Sequence, residues 1–171
     1  HIEESAPPRK ADLEPMQANV SLSAAESHAW HRPLLAKRAS QYDPRVRSRI
    51  ERGATMSASD YIDLLNARQH WIVRMEAALA PYDALLSPTV PLVAPPIADV
   101  APGAERDAEF FRVNALLLRN TSVVNMLDGC ALSLPCHMAG ELPVGLMVWH
   151  GALHDNAVLN VGLQIEQILQ K

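Results

Sequence analysis

Thr121-Ser122-Val123-Val124-Asn125-Met126-Leu127-Asp128-Gly129-Cys130-Ala131-Leu132-Ser133-Leu134-Pro135, followed after a short interval by Leu142-Pro143-Val144-Gly145-Leu146, is the stretch from which the architecture follows. It reads as a helix that stops at Gly129, a strand over Cys130 to Leu134, a turn from Pro135 to Pro143 with Gly140 inside it, and a second strand over Val144 to Trp149. Continuous apolar runs of this length suit sheet strands covered on both faces. Working back along the chain, Asp83 to Ser87 gives a third short buried strand, ended by the proline series that begins at Pro88 and runs to Pro102.

Helices surround these strands. Ser23-Ala24-Ala25-Glu26 has the form of a capping box and predicts a helix to about Ser40. Asp43-Pro44 opens a shorter one through Arg52, with Pro44 in its first turn and Gly53 at its stop. Ser57-Ala58-Ser59-Asp60 starts the longest, whose apolar positions Tyr61, Leu64, Leu65, Ile72, Met75 and Leu79 recur at helical spacing until Pro81. The charged cluster from Glu105 to Glu109 opens another through about Arg119, and His154 to Gln170 forms a terminal amphipathic helix. Residues 1–22, with Pro7, Pro8 and Pro15 among mixed charges, read as an extended connecting arm, and 23–171 as the folded domain. The fold class expected is α/β, helices packed on a small mixed sheet. Three visible strands leave sheet edges open, so the sheet is expected to continue into another chain or a missing part, which is also a route to a homo-oligomer.

The composition is that of one globular domain: 171 residues, 49% apolar and 20% charged. A formal charge of -4 removes the attraction on which binding to phosphate backbones or anionic lipid depends, so nucleic acid and membrane partners are not expected. No stretch reaches the roughly 18 uninterrupted apolar residues of a membrane span; Ala84 to Ala98 is broken by Pro88, Pro91, Pro95 and Pro96. No basic-then-apolar leader is visible, which predicts a cytoplasmic protein, although the chain opens on His1 as a processed or truncated product would. Cys130 and Cys136 lie about 20 Å apart if joined by a strand, too far for a disulfide, and read as two buried thiols.

No arrangement of side chains declares a catalytic centre. A serine hydrolase needs a base beside its serine, and the G-x-S-x-G elbow is absent; Ser133, inside Ala-Leu-Ser-Leu-Pro, reads as a strand serine bonded to backbone. His28 and His31 share a helix face but lack the further ligands of a metal site, and read as a surface or helix-packing pair. His137, His150 and His154 cluster in sequence without carboxylate or Cys partners at ligand spacing. Cys136 and His137 are adjacent and so point to opposite faces of an extended chain, which does not align a thiol with its base. No cofactor is expected.

The order and spacing of several pieces resemble the C-terminal part of the amidase-signature family. They are Ala25-Glu26 with His28 and His31; Tyr42-Asp43-Pro44-Arg45-Val46 leading to Gly53; Asp60-Tyr61 with Arg68; Asp83 to Pro91; the run Thr121 to Pro135; and Leu142-Pro143-Val144-Gly145-Leu146. The resemblance implies one mixed sheet flanked by helices, and amide hydrolysis by a serine, a second serine and a lysine that this family carries in its N-terminal half. No Gly/Ser-rich segment of that kind occurs here. By resemblance, Thr89, Thr121 and Asn125 are placed nearest a substrate pocket, while Thr121 and Asn125 equally suit bonds to backbone where helix meets strand. Leu116-Leu117-Leu118-Arg119-Asn120 lacks the acidic residue of the family's transamidating members, and resembles a general amidase or allophanate-type hydrolase instead. The expectation is a chain that supplies scaffold and one pocket wall for a small amide substrate, with no catalytic residue of its own and with the missing N-terminal portion as its partner. The alternative is a non-catalytic remnant that self-associates or binds a ligand.

Overall fold

A computed structural model describes residues 2–4 and 21–169, which form two compact units dividing between Val73 and Arg74. The arm expected over 1–22 lies outside the described residues except for 2–4, 21 and 22.

The first unit opens with helix α1 (Leu22–Arg38). Its cap is Ser21, not the Ser23 box expected from sequence: Ser21 is the last extended residue, and its Oγ accepts from the Ala24 N–H at 3.3 Å. Glu26, the presumed reciprocal partner, instead accepts from the Tyr61 hydroxyl at 3.0 Å. Helix α2 (Pro44–Glu51) starts as expected, with Asp43 Oδ1 accepting from the Arg45 N–H at 2.8 Å. The Arg45 guanidinium closes back on the same carboxylate, and holds its pKa below the usual carboxylate range. Gly53 lies in a 3₁₀ turn (Arg52–Thr55) without a left-handed φ. Its absent side chain answers to packing, since a Cβ there would overlap the backbone of Ala24 in α1. Helix α3 (Ala58–Leu79) begins with the reciprocal cap that its sequence announces: the Asp60 N–H donates to Ser57 Oγ (3.1 Å) and the Ser57 N–H to Asp60 Oδ2 (3.2 Å). The carboxylate's bonds from Ser57 also lower the Asp60 pKa.

The second unit holds strands β1 (Leu85–Pro88), β2 (Cys130–Pro135) and β3 (Gly145–His150), in spatial order β1-β3-β2, with antiparallel pairing throughout. Helices α4 (Ile97–Val100), α5 (Asp107–Leu118) and α6 (Thr121–Met126) lie between β1 and β2 in sequence, and α7 (Asp155–Leu169) closes the described chain. The helical and strand elements thus follow the expected α/β order. Directly opposed residues of an antiparallel pair share a face, and the register therefore sorts the sheet into two. Leu132, Leu134, Val148 and His150 fall on one, and Ser87, Ser133, Met147 and Trp149 on the other. Helix α7 packs on the first through Val158, Val161 and Ile165, against Leu132, Leu134 and Val148. Gly162 permits this approach, because a Cβ there would overlap the end of Leu132.

Two expectations about the β2 region are corrected. Strand β3, the central strand, has four consecutive buried residues, Met147 to His150, whereas β1 and β2 alternate as edge strands with one uncovered face. The stop of α6 is not made by Gly129 either: Asp128 takes the left-handed conformation, φ 55°. Gly129 serves the next step, lying so close to β3 that a Cβ would overlap the His150 carbonyl oxygen.

Candidate functional site

The face of the sheet opposite α7 collects hydroxyls. Thr89, just past the end of β1, extends the ladder by donating its N–H to the Gly145 carbonyl at 2.8 Å. That bond brings its Oγ1 within 2.6 Å of Ser133 Oγ, across the width of β3. Gly145 is the floor of the pair: a Cβ there would come within 2.6 Å of Ser133 Oγ and 2.8 Å of Thr89 Oγ1. Ser133 therefore bonds a side chain and not the backbone, because strand alternation turns it away from α7, and Thr89, held beside Gly145, lies diagonally from it on the same face. Asn120, between α5 and α6, donates its Nδ2 to the Pro88 carbonyl at 2.8 Å and ties the start of α6 to the segment carrying Thr89. Nothing in the sequence singled out Asn120. Its one signal was its place at the break between the two helices, where Asn bonds backbone readily.

The other two expected pocket residues sit on α6. Thr121, its first residue, reaches back over long distances to the carbonyls of Leu117 (3.4 Å) and Leu118 (3.5 Å). Asn125 follows one turn later and is exposed. The structure thus joins Thr89 to Ser133 and, through Asn120, to the beginning of α6. On the same face as Ser133, Ser87 Oγ and Trp149 Nε1 are buried without a hydrogen-bond partner among the described residues.

Two hydroxyls in contact share one hydrogen, so the accepting member retains its own O–H for a further acceptor. This suits them to binding an oxygen. Among the described residues neither meets an imidazole, an amine or a carboxylate, which a serine nucleophile requires. Cys136 and His137 are occupied separately at the β2–β3 turn: the thiol donates to the Val144 carbonyl (3.6 Å), and His137 Nδ1 accepts from the Val144 N–H (3.5 Å). Cys136 is exposed, contrary to the expectation of two buried thiols, because β2 ends at Pro135. Cys130 is partly buried, and burial pushes its pKa up, with the nearby Asp155 charge adding to this. In the first unit His31 packs on α2's approach, its Nδ1 2.8 Å from the Tyr42 hydroxyl. A cavity of about 300 Å³ lined by Ala25, Glu26, Ala29, Met56 and Tyr61 opens there as well. Among the described residues no three His, Cys, Asp or Glu side chains are grouped to hold a metal ion, and no helix is long and apolar enough to cross a membrane.

Known proteins agree with one another about this chain. The family model described as Amidase matches residues 2–159. A 2-amino-5-chloromuconic acid deaminase of Comamonas testosteroni is 26% identical over 149 residues, which are 86% of this chain and 31% of the relative. A glutamyl-tRNA(Gln) amidotransferase chain from Archaeoglobus fulgidus is 30% identical over 139 residues, 78% of this chain and 29% of that one. Among solved structures, an amidase superposes with a TM-score of 0.67 at 28% identity, covering 85% of this chain and 33% of its own. The allophanate hydrolase of Kluyveromyces lactis superposes with 0.70 at 25% identity, covering 88% and 24%. The chain thus spans about a third or less of the length of the relatives it matches.

Proposed function

Because this chain belongs to the amidase family, we propose that residues 23–171 are the C-terminal part of an amide hydrolase, supplying scaffold and one wall of the substrate pocket while the nucleophile lies in another part of the protein. The observation that carries this reading is the coverage: nearly the whole chain superposes on an amidase of which it makes up 33%. In the complete protein a serine would attack the carboxamide carbon, a second serine and a lysine would move the proton to the leaving nitrogen, and backbone N–H groups would hold the oxyanion. Thr89, Thr121 and Asn125 belong to the wall on this reading. Thr89 is the best supported of the three, because its hydroxyl pair with Ser133 retains a donor and lies on the sheet face away from α7.

The coding sequence upstream of His1 tests the arrangement: an in-frame Gly/Ser-rich segment with an earlier lysine is expected, and a start codon immediately before His1 would defeat the proposal. The purified chain, offered simple carboxamides, is expected to release no ammonia above background. Turnover that survives both Ser133→Ala and Cys136→Ala in a clean preparation would show chemistry this reading denies.

A second reading is favoured by β1 and β2, each of which pairs on one side only among the described residues. An open edge can pair with a second copy of the chain. Size-exclusion chromatography with light scattering decides it, a dimer supporting edge pairing and a monomer at all accessible concentrations opposing it.

A further inference from the structure

The end of β3 opposite the hydroxyl pair carries a second arrangement that the hydrolase reading does not use. His150 is the last residue of β3 and is 4% exposed. Both of its ring nitrogens are engaged: Nε2 lies 3.2 Å from the Tyr82 carbonyl, and Nδ1 lies 2.7 Å from the Gly151 N–H. A carbonyl can only accept and a backbone N–H can only donate, so the ring is the neutral tautomer with its proton on Nε2. The His154 ring stacks on it, centroids 3.8 Å apart. His154 is also the residue whose carbonyl accepts from the Val158 N–H and starts α7. Between the two imidazoles Leu153 is held at φ 64°, in the left-handed region and 95% exposed, a conformation that is strained for a residue with a Cβ.

We propose that His150 is an acid-sensitive latch on α7: a second ring proton would set Nδ1–H against the Gly151 N–H, and the loop 151–154 and the first turns of α7 would then part from the sheet. Two donors 2.7 Å apart cannot coexist, so protonation costs both the lost bond and a buried charge. The strained Leu153 favours release once the bond is gone. What the loop holds down is the helix covering Leu132, Leu134 and Val148.

The groups facing His150 divide in sign. Cys130 is its register partner in β2, Asp83 stands in the turn before β1, His154 stacks from the loop, and Asp155 begins α7. Glu76 of α3 comes near Gly151 through its side-chain stem. Burial lowers the His150 pKa from 6.5, His154 lowers it further, and the Tyr82 carbonyl and Asp83 oppose the shift. A folded-state value below the unfolded one means that the neutral ring contributes stability above about pH 6.5, and that this is lost as the pH falls through that value toward the folded pKa.

Hydrogen exchange of the full chain between pH 8 and 5, expressed as protection corrected for the intrinsic rate, tests the latch. Protection in the first turns of α7 should fall on acidification by up to about tenfold per pH unit, the limit for one proton, while the β2–β3 amides fall less. His150→Gln, which cannot become charged, should abolish this pH dependence. If that variant does not fold at pH 8 by circular dichroism, His154→Gln decides, since removing the neighbouring ring should move the acid midpoint upward. An NMR titration of the His150 ring should show protonation in step with the loss of α7 protection. Loss of α7 protection that persists in His150→Gln, an unmoved midpoint in His154→Gln, or a His150 that titrates without any change in α7 would overturn the proposal.

Discussion

The two faces of the three-stranded sheet are built from alternate residues of the same strands, yet they are organised by different forces. Leu132 and Leu134 of β2 turn toward α7 and join Val148 in an apolar layer. Ser133, between them, turns the other way and meets Thr89. The first face is covered by α7 along β2 and β3, while Leu86 at its β1 edge is exposed. The second presents a hydroxyl pair, with Ser87 and Trp149 holding buried polar atoms that no described residue satisfies. Met147 and Trp149 on the second face are as buried as Leu134 and Val148 on the first, so the faces differ in what they carry, an apolar layer on one and hydroxyls with unsatisfied polar atoms on the other.

Substitutions on neighbouring residues can break this comparison. Leu134→Ala removes a buried side chain from the α7 face and should cost about 2–5 kcal/mol in urea unfolding, the ordinary cost of a large-to-small core change. A loss well under about 1 kcal/mol would mean that α7 does not cover this face in solution. Gly129→Ala, which forces a methyl onto the His150 carbonyl, should cost about 1–3 kcal/mol and should shift the amide resonances of both strands. Ser133→Ala, one residue from Leu134, should cost no more than about 1 kcal/mol, because the bond it removes is exposed. A large loss there would mean that the hydroxyl face supports the fold in the way the apolar one does. The smallest effect is on reactivity alone: Cys136, exposed beyond β2, should react with a thiol reagent well before Cys130, whose pKa burial raises. Equal rates in the folded chain would place Cys130 outside the protected layer.

Much of the fold was legible because its signals are local. The Ser57/Asp60 cap, the Asp43-Pro44 start and the apolar runs of β2 and β3 depend on residues within a few positions of one another, and each appears where it was read. The misreadings share a cause. Gly53 and Gly129 look like helix stops, but each is required by a backbone distant in sequence, Ala24 in one case and His150 in the other. Ser21, and not Ser23, is the cap because it is the last extended residue and its Oγ reaches the Ala24 N–H. Of the candidate site, only Thr89 follows from the resemblance; the roles of Ser133 and Asn120 are not legible locally, since their contacts span 44 and 32 residues.

The sequence by itself determined the order of helices and strands and the kinship with amidases, because these depend on local periodicity, capping chemistry and motif order. The tertiary structure alone decided which side of each strand is covered, which hydroxyls meet and how His150 is bound. Those depend on the pairing register, and a shift of one residue in it would exchange the two faces while leaving every local signal intact.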